Sequence, residues 1–179
     1  MIMKKILMFI LVTGGFCMQA AANDPLPLLE TVKSVDLSRY VGLWYEFGRY
    51  PNKFEAPDCT NVTAEYTLRD DGKITVVNTC FLPQKNKIKS VKGKAWVVNK
   101  ETNAQLKVSF FWPFSGKYWI IGLADDYSWA LVGEPKRKFL WILTRTPKIE
   151  DATLEQIKKI IVEKGYDPAN LIYPLQEQK

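Results

Sequence analysis

Asn61-Val62-Thr63-Ala64-Glu65-Tyr66-Thr67-Leu68-Arg69-Asp70-Asp71-Gly72-Lys73-Ile74-Thr75-Val76-Val77-Asn78-Thr79-Cys80 decides how this chain folds. Asp70-Asp71-Gly72 is a hairpin turn, because glycine takes the positive φ that a tight reversal demands. Folding about it pairs residues whose numbers sum to about 142. Val62, Ala64, Tyr66 and Leu68 then stand opposite Cys80, Asn78, Val76 and Ile74, while Thr63, Glu65 and Thr67 face Thr79, Val77 and Thr75. One face is apolar and the other largely polar, with Asn78 the polar exception on the apolar side. The stretch therefore predicts two half-buried strands, 61–69 and 73–81.

Outward from this hairpin the same theme repeats. Runs of apolar or alternating residues closed by Gly, Pro, Asn or Asp predict further strands at 42–49, 88–98, 105–112, 117–124, 128–133 and 139–145. No helical period separates them, so parallel crossovers are excluded. Eight consecutive strands with short links form an up-and-down antiparallel meander, and closing it into a barrel removes the two unpaired margins that a flat sheet would expose. After the strands, Leu154, Ile157, Ile160 and Ile161 share one stripe of a helix that starts near Asp151 and stops at Gly165. A helix this short needs a surface to cover, and the outer wall of the barrel supplies it. Leu171-Ile172-Tyr173 is a candidate for a short extra edge strand.

The 179 residues, 47% hydrophobic and 13% aromatic, suffice for one well-packed domain and are too few for two. No histidine is present, which excludes Ser-His-Asp and Cys-His nucleophilic pairs, imidazole acid–base chemistry and His-ligated zinc. No catalytic residue, metal or cofactor is expected. The formal charge is +6, falling to +4 without Lys4 and Lys5, a mild excess that does not point to nucleic acid.

Lys4-Lys5, the apolar run Ile6 to Val12 extended loosely through Phe16, and Ala20-Ala21-Ala22 read as a signal peptide over residues 1–22, cut before Asn23. The run is shorter than the ~20 residues that cross a bilayer. A lipoprotein signal ending at Cys17 is the rival reading. Lipid attachment generally wants a small residue before the cysteine, and Phe16 stands there. Cleavage after Ala22 leaves Cys59 and Cys80 in an oxidising compartment, where an even count favours one disulfide. The alternative, a reactive thiol, needs a local base or positive helix end, and neither cysteine has one nearby in sequence. Asn61-Val62-Thr63 fits a glycosylation sequon, which matters only in a eukaryotic secretory pathway.

Gly42-Leu43-Trp44-Tyr45-Glu46, placed after Asp36-Leu37-Ser38-Arg39-Tyr40, together with Trp141-Ile142-Leu143-Thr144-Arg145-Thr146-Pro147, resembles the lipocalin signature. Gly42 and Trp44 match the Gly-x-Trp motif that opens the first strand. Arg145 resembles the arginine that follows the eighth strand and packs over that tryptophan, tying first strand to last. The middle family motif, usually Thr-Asp-Tyr, is degenerate here as Ala124-Asp125-Asp126-Tyr127. The likeness spans residues 34–174, leaving 23–33 as an N-terminal segment and 175–179 as a tail without motif. It is closest to the bacterial, outer-membrane-type lipocalin group related to apolipoprotein D.

The resemblance implies an all-β, eight-stranded lipocalin barrel with the helix outside, holding a small hydrophobic ligand, a fatty acid or lysophospholipid, in the bacterial cell envelope. From strand positions in the family, and from the hairpin pairing on two strands, Ala64, Tyr66, Ile74, Val76, Asn78, Ala95, Val108, Phe110, Tyr118, Ile120, Phe139 and Trp141 are the expected lining. Asn78, Tyr118 or Tyr66 would orient a head group or hold water. Each also has a plain reading as core packing. Lys85, Lys87, Lys89, Lys92 and Lys94 flank the third-to-fourth strand connection, either as a solvated strand face or as a greeting for a phosphate head group or an anionic membrane surface. Trp112-Pro113-Phe114-Ser115-Gly116 is an apolar loop at the open end, set to dip into lipid, shield the cavity or pack on the barrel. Two other function classes stay open: a thiol-dependent lipocalin-like isomerase, and a structural module associated with the outer membrane.

Overall fold

Gly72 takes a φ of +74° and the Asp71 carboxylate accepts from the Lys73 amide, so the chain reverses where its Asp-Asp-Gly stands. In the computed structural model, which describes residues 26–177, this turn joins β2 (Thr60–Leu68) to β3 (Ile74–Leu82). Ala64 lies opposite Asn78, Tyr66 opposite Val76 and Leu68 opposite Ile74, the register expected from the turn. The expected pairing of Val62 with Cys80 is not made. A bulge falls between Thr60 and Thr63, where Asn61 takes a φ of +51°, and Thr60 pairs with Phe81 instead. The signal peptide, its cleavage site and Cys17 lie outside the described residues.

A one-turn helix, α1 (Leu37–Tyr40), leads into the remaining strands, which are β1 (Gly42–Arg49), β4 (Lys87–Val97), β5 (Gln105–Phe111), β6 (Phe114–Leu123), β7 (Trp129–Gly133) and β8 (Leu140–Thr144). Each pairs antiparallel with the next, and β1 pairs with β8, giving a closed up-and-down barrel. The expected loop 112–116 is shorter than its sequence suggests. Phe111 pairs with Phe114 across a two-residue turn, and the Ser109 hydroxyl donates to the Phe114 carbonyl at 2.6 Å, which extends β6 back to residue 114. Leu171-Ile172-Tyr173 contributes one bridge, Ile172 to Arg49.

Two apolar layers form. Inside the barrel, Trp44, Tyr66, Ile74, Val76, Ile120 and Leu143 belong to one cluster. Outside it, Ile157 and Ile161 of α2 (Asp151–Glu163) pack on Ile121, Leu131, Leu140 and Ile142. Both isoleucines are fully buried, each contributing about 1.5–3 kcal/mol of transfer free energy. Alternation along β8 feeds both layers at once, with Ile142 outward and Leu143 inward.

Residues 175–177, for which the sequence offers no motif, are pinned to the barrel. The Asn61 amide donates to the Leu175 carbonyl, and Gln176 Nε2 donates to the carbonyls of both Glu46 and Val62. This side chain bridges β1 and β2 just beyond Tyr45–Thr63, the last pair of their ladder.

Candidate ligand site in the barrel interior

One end of the barrel is closed by a side-chain stopper. Trp44 is fully buried and its indole N–H donates to the Tyr40 carbonyl at 2.8 Å. The Arg145 guanidinium lies 3.7 Å from the Trp44 ring centroid and donates to the carbonyls of Arg39, Tyr40, Val41 and Leu43. Gly42 has a φ of +99°, and a Cβ there would stand 3.4 Å from Arg145 Nη1. The degenerate segment before β7 serves the same end. Tyr127 accepts from the Asp36 amide at 2.8 Å and lies under the Arg39 guanidinium.

Above the stopper the sequence-predicted residues come together strand by strand. Ala64 and Tyr66 of β2 neighbour Asn78 and Val76 of β3, Ile74 neighbours Ala95 of β4, and Ala95 neighbours Val108 of β5. These, with Phe110, Tyr118, Ile120 and Trp141, belong to or pack against the inner cluster, Asn78 excepted. Phe139 sits just before β8, its ring 6.0 Å from Trp141 and 5.2 Å from Phe54 of the β1–β2 segment. The hydroxyls of Tyr66 and Tyr118 are taken up by each other at 3.0 Å and by Tyr40, whose hydroxyl is 2.7 Å from that of Tyr118. Burial pushes Tyr66 up to about 12 and Tyr40 and Tyr118 well above 10, so all three stay protonated.

Sequence reasoning missed a charged group among these apolar ones. Glu46 and Arg49 of β1 are 5% and 2% exposed. Glu46 pairs across the barrel seam with Leu143, and Arg49 with Trp141, both members or neighbours of the inner cluster. Strict alternation from Trp44 would have sent Gly48 inward and Arg49 outward. A bulge between Glu46 and Gly48 shifts the strand by one residue, so Gly48 faces Ile142 and Tyr173 on the outer wall and Arg49 turns in. Arg49 Nε lies 3.1 Å from Glu46 Oε1 and 3.1 Å from Glu55 Oε2. Glu55 Oε1 in turn accepts from Trp141 Nε1 at 3.2 Å and from Asn52. One guanidinium is shared between the buried Glu46 carboxylate and the partly buried one of Glu55. Burial first, then the neighbouring Glu55 carboxyl, push Glu46 well above the usual carboxylate range against the opposing pull of Arg49, which favours its protonated form. The sequence signal for this cluster was the bare presence of Glu46, Arg49 and Glu55 around an apolar strand.

At the opposite end from the stopper, Cys59 and Cys80 form a disulfide between the approach to β2 and the end of β3. Among the described residues these are the cysteines, so neither is a free nucleophile. Beyond them the β3–β4 hairpin projects past the rim, with Lys87, Ile88, Lys89 and Ser90 exposed on both strand faces. Lys85 and Lys92 are exposed as well, while Lys94 is half-buried with its ammonium 5.3 Å from the Trp112 ring centroid. Phe111, Trp112 and Phe114 are 73%, 79% and 76% exposed, so the aromatic turn does not pack on the barrel.

An eight-stranded antiparallel barrel, sealed at one end by an arginine stacked on a tryptophan and lined with apolar side chains, defines a barrel of the small-ligand-binding class. Residues 35–176 match the family model described as lipocalin-like domain, and the chain belongs to the lipocalin family. It is 41% identical over 159 residues to outer membrane lipoprotein Blc of Vibrio cholerae, covering 87% of this chain and 92% of that protein. It is 32% identical over 181 residues to mouse apolipoprotein D, covering 92% of each. Among solved structures, insecticyanin of the tobacco hornworm shares the fold with a TM-score of 0.67 at 21% identity, covering 84% of this chain and 85% of that one.

Proposed function

We propose that this protein is an exported, non-enzymatic carrier of a small hydrophobic ligand, a fatty acid or lysophospholipid, in the bacterial cell envelope. The observation that carries the reading is the continuous inward apolar face running from Ala64 and Tyr66 through Ala95 and Val108 to Trp141 inside a closed barrel. Each methylene of an acyl chain moved from water to such a face gains ~0.8 kcal/mol, so about ten of them offset the cost of association and leave micromolar affinity. Export and an outer-membrane setting are supported by the leader and by relatives that bear the name outer membrane lipoprotein. The exposed Phe111, Trp112 and Phe114 beside a row of lysines favour a peripheral contact of the open end with membrane.

The test is tryptophan quenching of delipidated, refolded protein by fatty acids and lysophospholipids, paired with mass spectrometry of protein extracted under native conditions. Saturable quenching and a co-purifying acyl lipid are expected. Absence of binding to every acyl lipid tried defeats the carrier reading and leaves a structural module. The mass of the mature chain checks the leader: a start at Asn23 is expected, whereas a lipidated Cys17 start makes the protein a lipoprotein.

A further inference from the structure

Two side-chain atoms on inward strand faces, Arg49 Nη1 and Asn78 Oδ1, are buried without a hydrogen-bond partner, and Glu46 Oε1 has only its ion-pair contact with Arg49 Nε at 3.1 Å. Buried polar groups are nearly always satisfied, and leaving one unpaired costs about 1–3 kcal/mol, more when it is charged. Here they lie on the inward faces of β1 and β3, beside an interior cluster of apolar side chains. Arg49 is the clearest case. Its Nε edge is shared by Glu55 and Glu46 at 3.1 Å, while its Nη1 N–H is unused. A packing role alone does not require a guanidinium at this place, since an apolar side chain of similar volume would leave no donor stranded.

We infer that Arg49, paired with Glu46, is a polar subsite within the barrel that hydrogen-bonds the head group of an acyl lipid, Arg49 Nη1 taking an anionic head-group oxygen. This rests on the carrier reading above and adds to it an orientation and a selecting residue. Arg49 ends β1 on the side of the disulfide and Phe139, whereas Trp44 opens the strand at the stopper. The head group therefore lies toward the open end and the tail runs down toward Tyr66, Ile120 and Leu143. The Glu46 carboxyl beside Arg49 offers an acceptor oxygen to hydroxyl or ammonium hydrogens next to the anionic oxygen. Burial and the neighbouring Glu55 favour the neutral form of Glu46, which lessens the negative charge set against the guanidinium. A carboxylate and a phosphodiester meet this requirement equally, and the experiment separates them.

The experiment titrates mature wild-type protein, Arg49→Lys and the paired variant Arg49→Met/Glu55→Gln with three probes. These are dodecanoate, dodecylphosphocholine, and the uncharged apolar dye N-phenyl-1-naphthylamine. Arg49→Lys keeps the buried positive charge but lacks the guanidinium fork, and the paired variant removes both charges together, so at least one is compatible with a folded barrel. Both variants are expected to bind the dye within about twofold of wild type and to lose about tenfold or more in affinity for one or both amphiphiles, as loss of a hydrogen bond to a charged group dictates. Loss for dodecanoate alone assigns a carboxylate, and loss for dodecylphosphocholine alone a phosphodiester. Unchanged amphiphile affinities, or losses that merely track the dye, overturn the subsite. Wild type that binds the dye and neither amphiphile overturns it too, while leaving an apolar carrier standing. Wild type that binds none of the three removes the carrier reading itself.

Discussion

Arg145 lies 3.7 Å over Trp44 and holds four backbone carbonyls between Arg39 and Leu43. One side chain that follows β8 thereby fixes the entry to β1. Arg145→Ala removes a cation–π contact and several charge-assisted hydrogen bonds, so urea denaturation is expected to show a loss of about 2–4 kcal/mol. Arg145→Lys recovers only part of it, because an ammonium cannot stack on the indole and reach four carbonyls together. A full recovery by lysine contradicts this account.

The Cys59–Cys80 crosslink spans 21 residues of sequence. In the chain-entropy model it stabilises by about 3 kcal/mol, which for a domain of this size lowers the melting temperature by about 6–12 °C on reduction. Thermal melts with and without reductant measure the shift. Melting that is indifferent to reductant rules out a stabilising crosslink.

Glu46 gives the barrel a pH dependence. Burial raises its carboxyl well above the ordinary value of 4.5, so the native state holds a proton more readily than the unfolded chain does. Stability from this group is complete below about pH 4.5 and is lost as pH rises from there through the raised native value. The groups facing Glu46 are Arg49 on its own strand, Glu55 on the β1–β2 segment and Tyr66 on β2. Glu46→Gln does not titrate, and denaturant midpoints taken at about pH 4, 6 and 8 are expected to show the variant gaining on wild type as pH increases. A gap that is constant across the series places the proton elsewhere.

The aromatic turn supplies a readout for membrane contact. Vesicles containing phosphatidylglycerol are expected to float the wild-type protein and to shift Trp112 fluorescence to shorter wavelength, with less binding at high salt. Trp112→Ser/Phe114→Ser is expected to abolish flotation without lowering the melting temperature, because both side chains are largely exposed. Equal flotation of the variant shows that the turn is not the contact.

Helix α2 is held to the barrel by Ile157 and Ile161. Ile157→Ala is expected to cost about 2–5 kcal/mol by chemical denaturation, the range for a fully buried large-to-small change. A smaller loss would mean that the outer layer closes over the gap.

Most of the architecture was legible because a strand exposes its pattern locally. Asp70-Asp71-Gly72 fixed where the chain turns, and the period of two then dictated which residues face each other from Thr63–Thr79 to Leu68–Ile74. The stripe Leu154, Ile157, Ile160, Ile161 announced a helix with one covered side. Trp44 and Arg145 stood out by their motifs. The inner residues of β2 and β3 followed from this alternation, and those of β4 to β6 from strand positions in the lipocalin family.

What the tertiary structure alone decided lies where alternation breaks. β1 reads Gly-Leu-Trp-Tyr-Glu-Phe-Gly-Arg with apolar residues on both faces, since one side meets the interior and the other meets helix and tail. Its pattern therefore does not say which side is in. The bulge at Glu46/Gly48 then brings Glu46 and Arg49 to the same side, and the β1–β2 segment lays Glu55 against them. A one-residue slip is set by pairing with β8, nearly a hundred residues away in sequence, and no local rule encodes it. The amino-acid order determined the barrel, its seam and its apolar lining; closure between first and last strand determined that a guanidinium and a carboxyl sit inside it.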